Sequence, residues 1–203
     1  MSVFIISLST LVYAAVHSLL ATLGAKARAK QLFGPAAERW YRLAYNIFAG
    51  ISFLPILVLM AILPDQKLYA VPTPWLLLTT LGQVIGVIII VLGVWQADAW
   101  SFFGLRQVLA PTEGVETPEL IISGLYHWMR HPLYTGGLVV LWLTPVMTIN
   151  SLTLTIMLSL YLVVGARLEE RRLSHEFGRA YKDYQRNVPM LIPKPPSKNI
   201  PPQ

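Results

Sequence analysis

The stretch 124–137 gathers polar, proton-active side chains just before an apolar run, and it reads GLYHWMRHPLYTGG. Pro132 is typical of the first turn of a helix, where its missing N–H costs nothing. A helix N-terminus offers free N–H groups and a positive dipole end to an anion. Arg130 and His131 add hydrogen-bond donors for a carboxylate or phosphate. The same residue types also form basic anchors at membrane boundaries, so this stretch alone leaves both interpretations open.

A pair of adjacent carboxylates, Glu169 and Glu170, follows the last apolar run of the chain. A carboxylate at this place is suited to bind an ammonium or sulfonium group of a ligand. The alternative is pairing along the helix, of Glu169 with Arg172 at i+3 and of Glu170 with Arg167 at i−3. Surface pairs of this kind are common and contribute little to stability, so the glutamates alone do not decide between the two.

Two further ionisable residues lie within or beside apolar segments. His17 lies inside the first segment, where an ionisable group suggests function, but we expect a neutral histidine bonded to a neighbouring helix. Asp98 follows the third segment and is expected at the membrane interface. The sequence shows no cluster of metal ligands and no Ser-His-Asp arrangement. The chain has no cysteine, which excludes disulfides and thiolate zinc sites, and we predict no metal.

These side chains must be positioned by apolar elements, because 55% of the 203 residues are hydrophobic and 13% are charged. A soluble domain has about 25% charged residues. Three runs reach the ~20 residues that cross a bilayer: Val3 to Leu23, Leu43 to Leu63 and Trp75 to Trp95. A fourth apolar region, 137–166, is longer than one crossing and short for two. The sequence therefore predicts an all-α integral membrane protein.

The positive charge of the chain is distributed as in a membrane protein. The net charge is +6, and 15 of the 16 lysines and arginines lie on one side if 137–166 crosses twice. That side is expected to be cytoplasmic. We predict five segments with the N-terminus outside, the C-terminus inside, and a hairpin turn near residues 149–151 with Pro145 bending its first arm. The basic residues then reflect topology and attraction to membrane lipid rather than nucleic acid.

The chain divides into three parts by composition. Residues 1–95 hold three transmembrane helices, and the first lacks the basic start of a cleaved signal, so we expect it to be retained. Residues 96–193 hold a polar loop, the helical hairpin and a C-terminal helix in the cytoplasm with a weak point at Gly178. This last helix has a loose apolar stripe formed by Leu168, Leu173, Phe177, Tyr181 and Tyr184. Residues 194–203 are proline-rich and expected to be disordered. A site built from the loop and the C-terminal helix is open to a water-soluble cofactor and to a lipophilic acceptor from the bilayer.

The order and spacing of these motifs resemble a known superfamily. GLYHWMRHPLYTG, a two-helix apolar stretch and LEERRLSHEFGRAYKDYQRNVPMLIP together resemble the integral-membrane S-adenosylmethionine-dependent methyltransferases, which include isoprenylcysteine carboxyl methyltransferases and phospholipid methyltransferases. The resemblance covers roughly residues 96–193. FFGLRQV and WLTPVMTINSLTLT are similar to the methanethiol S-methyltransferase branch. HSLLA and RWYRLAYNIFAG are similar to the N-terminal half of that branch and of the NnrU-type proteins.

The resemblance implies S-adenosyl-L-methionine as cofactor and assigns residues to it. The chemistry of the cofactor agrees, since its carboxylate suits the helix start with His131 or Arg130 and its ammonium suits Glu169. Glu170, the other member of the carboxylate pair, is also counted as a cofactor-binding residue. The positions that match the family's cofactor contacts are Tyr126, His131, Pro132, Leu133, Tyr134 and Glu169, with Pro118, Glu119, Leu120 and Ile121 in the loop before them.

The expected reaction is direct in-line methyl transfer to a small lipophilic acceptor, most simply a thiol, with positioning as the main source of rate. Arg106 is a candidate to favour a thiolate, with an ordinary interfacial charge as the alternative. Tyr126, His127 or Tyr134 are candidates to relay the proton.

The sequence does not identify the methyl acceptor. The resemblance implies an arginine for the acceptor carboxylate in the prenylcysteine enzymes, about one turn before the glutamate pair, and Gly165 stands there in this chain. This departure disfavours a prenylcysteine carboxylate. Methylation of such a carboxylate or of a phospholipid headgroup remains an alternative. A non-catalytic membrane carrier or assembly factor is the alternative of another class, although a carrier should show more polar residues along a path through the membrane.

Overall fold

The computed structural model describes residues 1–109 and 120–195, which form helices joined by short links. The elements in chain order are α1 (Ser2–Leu20), α2 (Leu23–Phe33), α3 (Pro35–Ile62), β1 (Lys67–Ala70), α4 (Trp75–Gln96), α5 (Ala99–Phe103), α6 (Leu105–Leu109), a short 3₁₀ helix (Gly124–His127), α7 (Pro132–Trp142), β2 (Val146–Thr148), α8 (Ile149–Phe177) and α9 (Arg179–Asn187). The predicted all-α membrane fold is confirmed, with one small two-stranded sheet formed by β1 and β2.

Four helices among the described residues are long and apolar enough to cross a membrane: α1, α3, α4 and α8. The three apolar runs predicted in the N-terminal half therefore form helices long enough to cross a membrane. The predicted hairpin has unequal arms, because α7 has 11 residues and rises only about 16 Å, against ~30 Å of hydrocarbon. Its partner α8 has 29 residues and continues well past the apolar run.

The turn of this hairpin lies earlier than the sequence predicts. Residues 149–151 form the first turn of α8 instead of the loop. The backbone N–H of Thr148 donates to Ser151 Oγ at 2.7 Å, and the N–H of Ser151 donates to Thr148 Oγ1 at 3.1 Å. This reciprocal pair caps the start of α8. The polar residues 149–151, which are typical of a turn, therefore begin a helix. Pro145 lies after the end of α7 at Trp142 and does not bend that helix.

The stretch between the first two apolar runs is helical. Thr22 caps α2 by accepting a hydrogen bond from the N–H of Ala25 at 3.1 Å. Gly34 has a φ of +61°, which separates α2 from α3. Pro35 then starts α3, eight residues before its apolar run begins at Leu43.

The described residues form two compact units, and α8 contributes to both. The first unit contains Met1–Tyr69, the described part of 98–116, and Met147–Leu158. Its buried core is formed by Ile6, Ile56 and Leu154. The side chain of His17 bonds to a neighbouring helix as expected, since its Nε2 lies 2.6 Å from the hydroxyl of Tyr45 on α3.

Polar side chains in the first unit also bind backbone at the N-terminal end of α8. Asn150 is completely buried, and its Nδ2 donates to the carbonyls of Leu63 and Pro64, at 3.4 Å each. Asp65 Oδ1 accepts the backbone N–H of Asn150 at 3.0 Å. These contacts fasten the start of α8 to the segment that follows α3.

The second unit contains Ala70–Ala97, the described part of 117–146, and the described residues from Ser159 onward. Helices α4 and α7 approach closely through glycines. A Cβ added at Gly136 would lie 2.6 Å from the carbonyl oxygen of Gly86, and one added at Gly93 would lie 2.7 Å from Leu133. Since both contacts are too short for a real Cβ, the glycines permit the approach that fixes the start of α7.

The predicted C-terminal helix is divided at its weak point. Gly178 has a φ of +56° and separates α8 from α9. The apolar stripe is largely confirmed, because Tyr181, Tyr184 and Val188 form a buried cluster. The half-buried residues packed against that cluster are Leu120, Ile122, Leu173 and Phe177. Leu168, which the sequence places on the stripe, is 53% exposed. Residues 196–203 of the proline-rich tail lie outside the described residues.

Candidate functional site

The start of α7 is held in place by the C-terminal segment of the chain. Pro132 lies in the first turn of α7, as predicted, and His131 precedes it as the N-cap residue. The backbone N–H groups of Arg130 and His131 donate to the carbonyls of Pro189 at 2.9 Å and Met190 at 3.1 Å. Thr135 Oγ1 donates to the carbonyl of Leu191 at 2.7 Å. The stretch that carries the polar motif is therefore fixed on one side by the residues after α9.

The side chain of Arg130 is buried and uses its donors inside the protein. Its exposed fraction is 10%. Nε and Nη2 lie 2.6 Å and 2.5 Å from Glu170 Oε1. Nη1 donates to the carbonyls of Gln185 at 2.9 Å and Val188 at 2.6 Å. Arg130 thus connects the start of α7, the end of α8 and α9.

Glu170 completes this connection from α8. Its side chain is 14% exposed. Besides Arg130, it lies 3.3 Å from His131 Nε2 and accepts a hydrogen bond from Gln185 Nε2 at 3.3 Å. These partners are 15 to 40 residues distant in sequence, so the carboxylate acts across the fold rather than along its own helix.

Glu169 has a different environment, although it is the neighbouring residue. Its side chain is 36% exposed. Its Oε2 accepts a hydrogen bond from the hydroxyl of Tyr134 at 2.9 Å and lies 3.8 Å from His131 Nδ1. The rings of His131 and Tyr134 stack with centroids 5.3 Å apart. Of the two adjacent carboxylates, Glu169 is the one that solvent or a ligand can reach.

The protonation of His131 gives the site its electrostatic character. Burial lowers the pKa of His131, against the opposing influence of Glu169 and Glu170, so the ring is neutral at pH 7. Its hydrogen bond to Glu170 assigns the one ring proton to Nε2. Nδ1 is then an acceptor that faces Glu169 Oε2, which is also an acceptor. This acceptor pair, Glu169 Oε2 with His131 Nδ1, fits a cationic donor such as an ammonium group.

Tyr126 lies on the short 3₁₀ helix before α7. Its hydroxyl donates to the carbonyl of Gly93 at 3.4 Å, and its own carbonyl accepts a short hydrogen bond from the hydroxyl of Tyr184. Burial, and next the charge of Glu169, raises the pKa of Tyr126 to about 12. The phenol is therefore protonated at neutral pH and acts as a hydrogen-bond donor.

The remaining predicted site residues have no described contact with the acceptor pair. His127 Nδ1 lies 3.3 Å from the carbonyl of Ile122. Arg106 belongs to the first unit, where it pairs with Asp98 at 2.9 Å. In the predicted cofactor loop, Leu120 packs against the buried tyrosine cluster and Ile121 is half-buried. Pro118 and Glu119 lie outside the described residues.

The structure therefore joins most of the predicted motif residues in the second unit. The directly connected residues are Arg130, His131, Tyr134, Glu169 and Glu170. Sequence reasoning missed Gln185, which has no distinguishing signal on the polar face of α9. It counted Tyr184 only as part of the apolar stripe, since nothing in the pattern indicates a hydrogen bond to the carbonyl of Tyr126.

Comparison with known proteins gives consistent results. The sequence model of the phospholipid methyltransferase family matches residues 81–180. A methanethiol S-methyltransferase of Mycobacterium tuberculosis is 30% identical over 91% of this chain and 75% of its own length. One of Crocosphaera subtropica is 35% identical over 60% of this chain and 51% of its own length. A protein-S-isoprenylcysteine O-methyltransferase of Xenopus laevis is 30% identical over 75% of this chain and 51% of its own length.

These matches also show how much of each relative the chain covers. It spans 51%, 66% and 63% of the length of three methanethiol S-methyltransferases that it resembles. No solved structure matches the chain.

Proposed function

The chain belongs to the membrane methyltransferase family represented by these methanethiol S-methyltransferases, and we propose that it transfers a methyl group from S-adenosylmethionine to a small lipophilic thiol. The observation that carries this proposal is the acceptor pair, in which Glu169 Oε2 faces a neutral His131 Nδ1 across 3.8 Å. An ammonium group has three donors and a positive charge, so it can satisfy both acceptors at once.

The residues at the start of α7 fit the other end of the amino acid moiety. The N–H groups of Leu133 and Tyr134 belong to the first helical turn and have no acceptor within the helix. Together with the helix dipole they favour a carboxylate. We propose that these N–H groups take the cofactor carboxylate while Glu169 takes the ammonium.

Arg130 and Glu170 have a different proposed role, because their polar atoms already bind each other and neighbouring groups. Their salt bridge and the hydrogen bonds to Gln185 and Val188 hold the ring of His131 at the acceptor pair. We therefore assign Arg130 and Glu170 as positioning residues for the cofactor site.

When bound, the cofactor supplies an electrophilic methyl group on a sulfonium. The acceptor sulfur forms the new S–C bond as the old S–C bond breaks, so the chain has to align the reactants and hold charge in place. Tyr126 and Tyr134 remain protonated, and their hydroxyls donate to the carbonyl of Gly93 and to Glu169 Oε2. We propose that one of these hydroxyls exchanges its present acceptor for the acceptor sulfur, which would favour a thiolate over a thiol. His127 and Arg106 stay as candidates for proton relay and thiolate stabilisation.

Gly165 supports an acceptor without a carboxylate. It lies one turn before Glu169 on the same face of α8, and a Cβ added there would meet nothing within 4 Å. The site therefore has space at this position and no cationic side chain from residue 165. A thiol of methanethiol size needs no such cation, whereas a prenylcysteine carboxylate would leave its charge uncompensated there.

In the proposed membrane topology the site lies on the cytoplasmic side, where a water-soluble cofactor is present. Most lysines and arginines lie in segments that the positive-inside rule assigns to the cytoplasm, including the segment after α8. We propose that the N-terminus is outside and that the C-terminus and the site are cytoplasmic.

The test uses the full chain in liposomes with S-adenosylmethionine carrying a labelled methyl group. Methanethiol should yield labelled dimethyl sulfide in the headspace, and Glu169→Gln should remove at least 90% of that product, an about tenfold loss that corresponds to ~1.4 kcal/mol. N-acetyl farnesylcysteine and phosphatidylethanolamine serve as competing acceptors. Labelling of one of these without methanethiol would show that the acceptor assignment is wrong. Absence of any labelled product from a folded, cofactor-binding protein would contradict the enzymatic proposal.

A further inference from the structure

An apolar groove lies in the first unit, on the side of α3 that meets α2. Its main cavity has a volume of about 330 Å³. The residues that line it are Ala29 and Phe33 from α2 and Ala36, Ala37, Trp40, Tyr41 and Ala44 from α3. A second cavity of about 190 Å³ shares Tyr41 and Ala44 and continues to Tyr45, Phe48 and Leu20. We call the two adjoining cavities the α2–α3 groove. None of its residues belongs to the proposed cofactor site.

The groove leads from the basic start of α3 into its apolar run. From Ala36 to Phe48 helix α3 rises about 18 Å, and the part from Leu43 onward belongs to the apolar run that crosses the membrane. Four of the lining residues are alanines, which leave room between the helices, and Trp40 forms part of the wall with 49% of its surface exposed. Because α3 is a candidate membrane crossing, the bilayer itself supplies acyl chains to this surface.

The mouth of the groove is strongly positive. Between residues 23 and 45 the chain has one acidic residue, Glu38, and five basic residues: Lys26, Arg28, Lys30, Arg39 and Arg42. Lys26 and Lys30 share a face of α2 with Ala29 and Phe33, by the i, i+3, i+4 and i+7 spacing of a helix.

The described contacts of two of these basic residues, Lys30 and Arg39, do not remove the positive excess of the region. Lys30 pairs with Glu38, but both side chains are mostly exposed, at 63% and 59%, and such surface pairs exchange easily. The guanidinium of Arg39 donates through Nε and Nη2 to the carbonyl of Val108, at 3.0 Å and 2.7 Å, which leaves its charge uncompensated. It lies 5.9 Å from the ring centre of Trp40, a residue of the groove wall. The positive excess of the region favours a negatively charged occupant.

We propose that the α2–α3 groove binds an anionic phospholipid. One acyl chain lies along α3 from Ala36 towards Phe48, and the phosphate meets the basic residues of α2. Apolar burial alone would accept any phospholipid, whereas the positive mouth selects an acidic headgroup. The site is independent of methyl transfer, because it uses residues of the first unit that the proposed cofactor site does not contain.

Native mass spectrometry of the delipidated full chain in detergent tests the selectivity. Dioleoyl phosphatidylglycerol should bind at least tenfold more tightly than dioleoyl phosphatidylcholine. The triple variant K26Q/R28Q/K30Q should lose at least tenfold in affinity for phosphatidylglycerol, because each charge contributes about fivefold at a membrane surface. Its affinity for phosphatidylcholine should not change.

A matched control removes the same charge from another part of the chain. R179Q/K182Q/R186Q neutralises three exposed basic residues of α9 and should retain the preference for phosphatidylglycerol. Equal binding of the two lipids by the wild type would overturn the proposal. So would an equal loss of affinity in the α2 variant and the α9 control, since the effect would then reflect net charge alone.

A second variant tests the groove itself. Ala44→Trp places a large side chain where the two cavities join and should reduce phosphatidylglycerol binding at least tenfold with all basic residues intact. Ala36→Leu is the milder alternative if the first variant does not fold, which circular dichroism and thermal unfolding will show. Unchanged binding in a folded, groove-filled variant would mean that the lipid adsorbs to the basic surface only, and the groove proposal would be wrong.

Discussion

The polar side chains at the two ends of helix α8 have different kinds of partner. At the N-terminal end, Asn150 and Asp65 bind backbone groups, namely the carbonyls of Leu63 and Pro64 and an N–H of the helix itself. At the C-terminal end, Glu169 and Glu170 bind other side chains.

The difference separates a structural use of polar residues from a chemical one. Backbone groups in an apolar protein need partners, and the completely buried amide of Asn150 supplies a donor to them. Glu170 resembles it, because it is buried and fully engaged with Arg130. Glu169 differs from Glu170, since it is a carboxylate with 36% exposure that contacts the side chains of Tyr134 and His131. A partly exposed carboxylate beside a neutral histidine is an arrangement that a ligand can complete.

Removing Arg130 should have the largest effect on stability. Arg130→Ala leaves Glu170 buried without its cation and should destabilise the fold by about 3–5 kcal/mol. Thermal unfolding in detergent would measure this as a large decrease in Tm. The matched control is Arg106→Ala, whose pair with Asp98 is 45% and 37% exposed and should change Tm very little. Equal shifts in the two variants would contradict the role assigned to the buried pair.

Asn150→Ala is expected to have the next largest effect and to test the separation of the two ends. Its loss removes a completely buried side chain and the donor to the carbonyl of Leu63, whereas the carbonyl of Pro64 keeps the hydroxyl of Ser2 at 2.8 Å. The substitution should cost about 1–3 kcal/mol. The same variant should bind S-adenosylmethionine as tightly as the wild type at a temperature where both are folded. Calorimetric titration would reveal a loss of affinity, and such a loss would show that the two ends do not act separately.

The site end should respond to acid through His131. Burial lowers the pKa of this histidine below its unfolded value of about 6.5, so the folded state favours the neutral ring. Its contribution to stability is therefore complete above about pH 6.5 and is lost as the pH falls below that value, with a slope of at most about 1.4 kcal/mol per pH unit. Tm measured from pH 8 to pH 5 should fall less steeply in His131→Gln. Identical slopes would contradict a buried neutral His131.

Tyr184→Phe should have the smallest effect on stability, and it tests whether the hydrogen bond from α9 to Tyr126 contributes. The substitution keeps the ring in the buried cluster and removes only the hydrogen bond to the carbonyl of Tyr126. The expected loss is about 0.5–1.5 kcal/mol. If Tyr184 also positions Tyr126, then S-adenosylmethionine affinity should decrease slightly in parallel. A Tm equal to that of the wild type would show that this hydrogen bond does not stabilise the protein.

Local features of the fold follow from the sequence, because they depend on neighbouring residues. The apolar runs predict the crossings, Pro132 predicts the start of α7, and Gly178 predicts the break between α8 and α9. The hairpin turn was predicted too late in the chain, since Asn150 and Ser151 resemble turn residues. Their side chains instead bind Leu63 and cap α8, and the first of these contacts depends on distant backbone.

The site residues follow from the sequence by type but not by role. The motif around His131 and the glutamate pair predicts a cofactor site, and the structure brings both together. Sequence spacing does not distinguish the role of Glu169 from that of Glu170. Only the fold distinguishes them, because Arg130 reaches Glu170 from 40 residues away and leaves Glu169 exposed.

Binding of S-adenosylmethionine to the detergent-purified protein tests the central claim most directly. Titration calorimetry should show micromolar affinity for the wild type and at least a tenfold loss in Glu169→Gln, with Tm changed by no more than a few degrees. The isosteric amide removes the charge that the ammonium needs while it keeps a hydrogen-bond acceptor for Tyr134. Unchanged affinity in a folded Glu169→Gln variant would contradict the assignment of the exposed carboxylate at the C-terminal end of α8 as the cofactor-binding group.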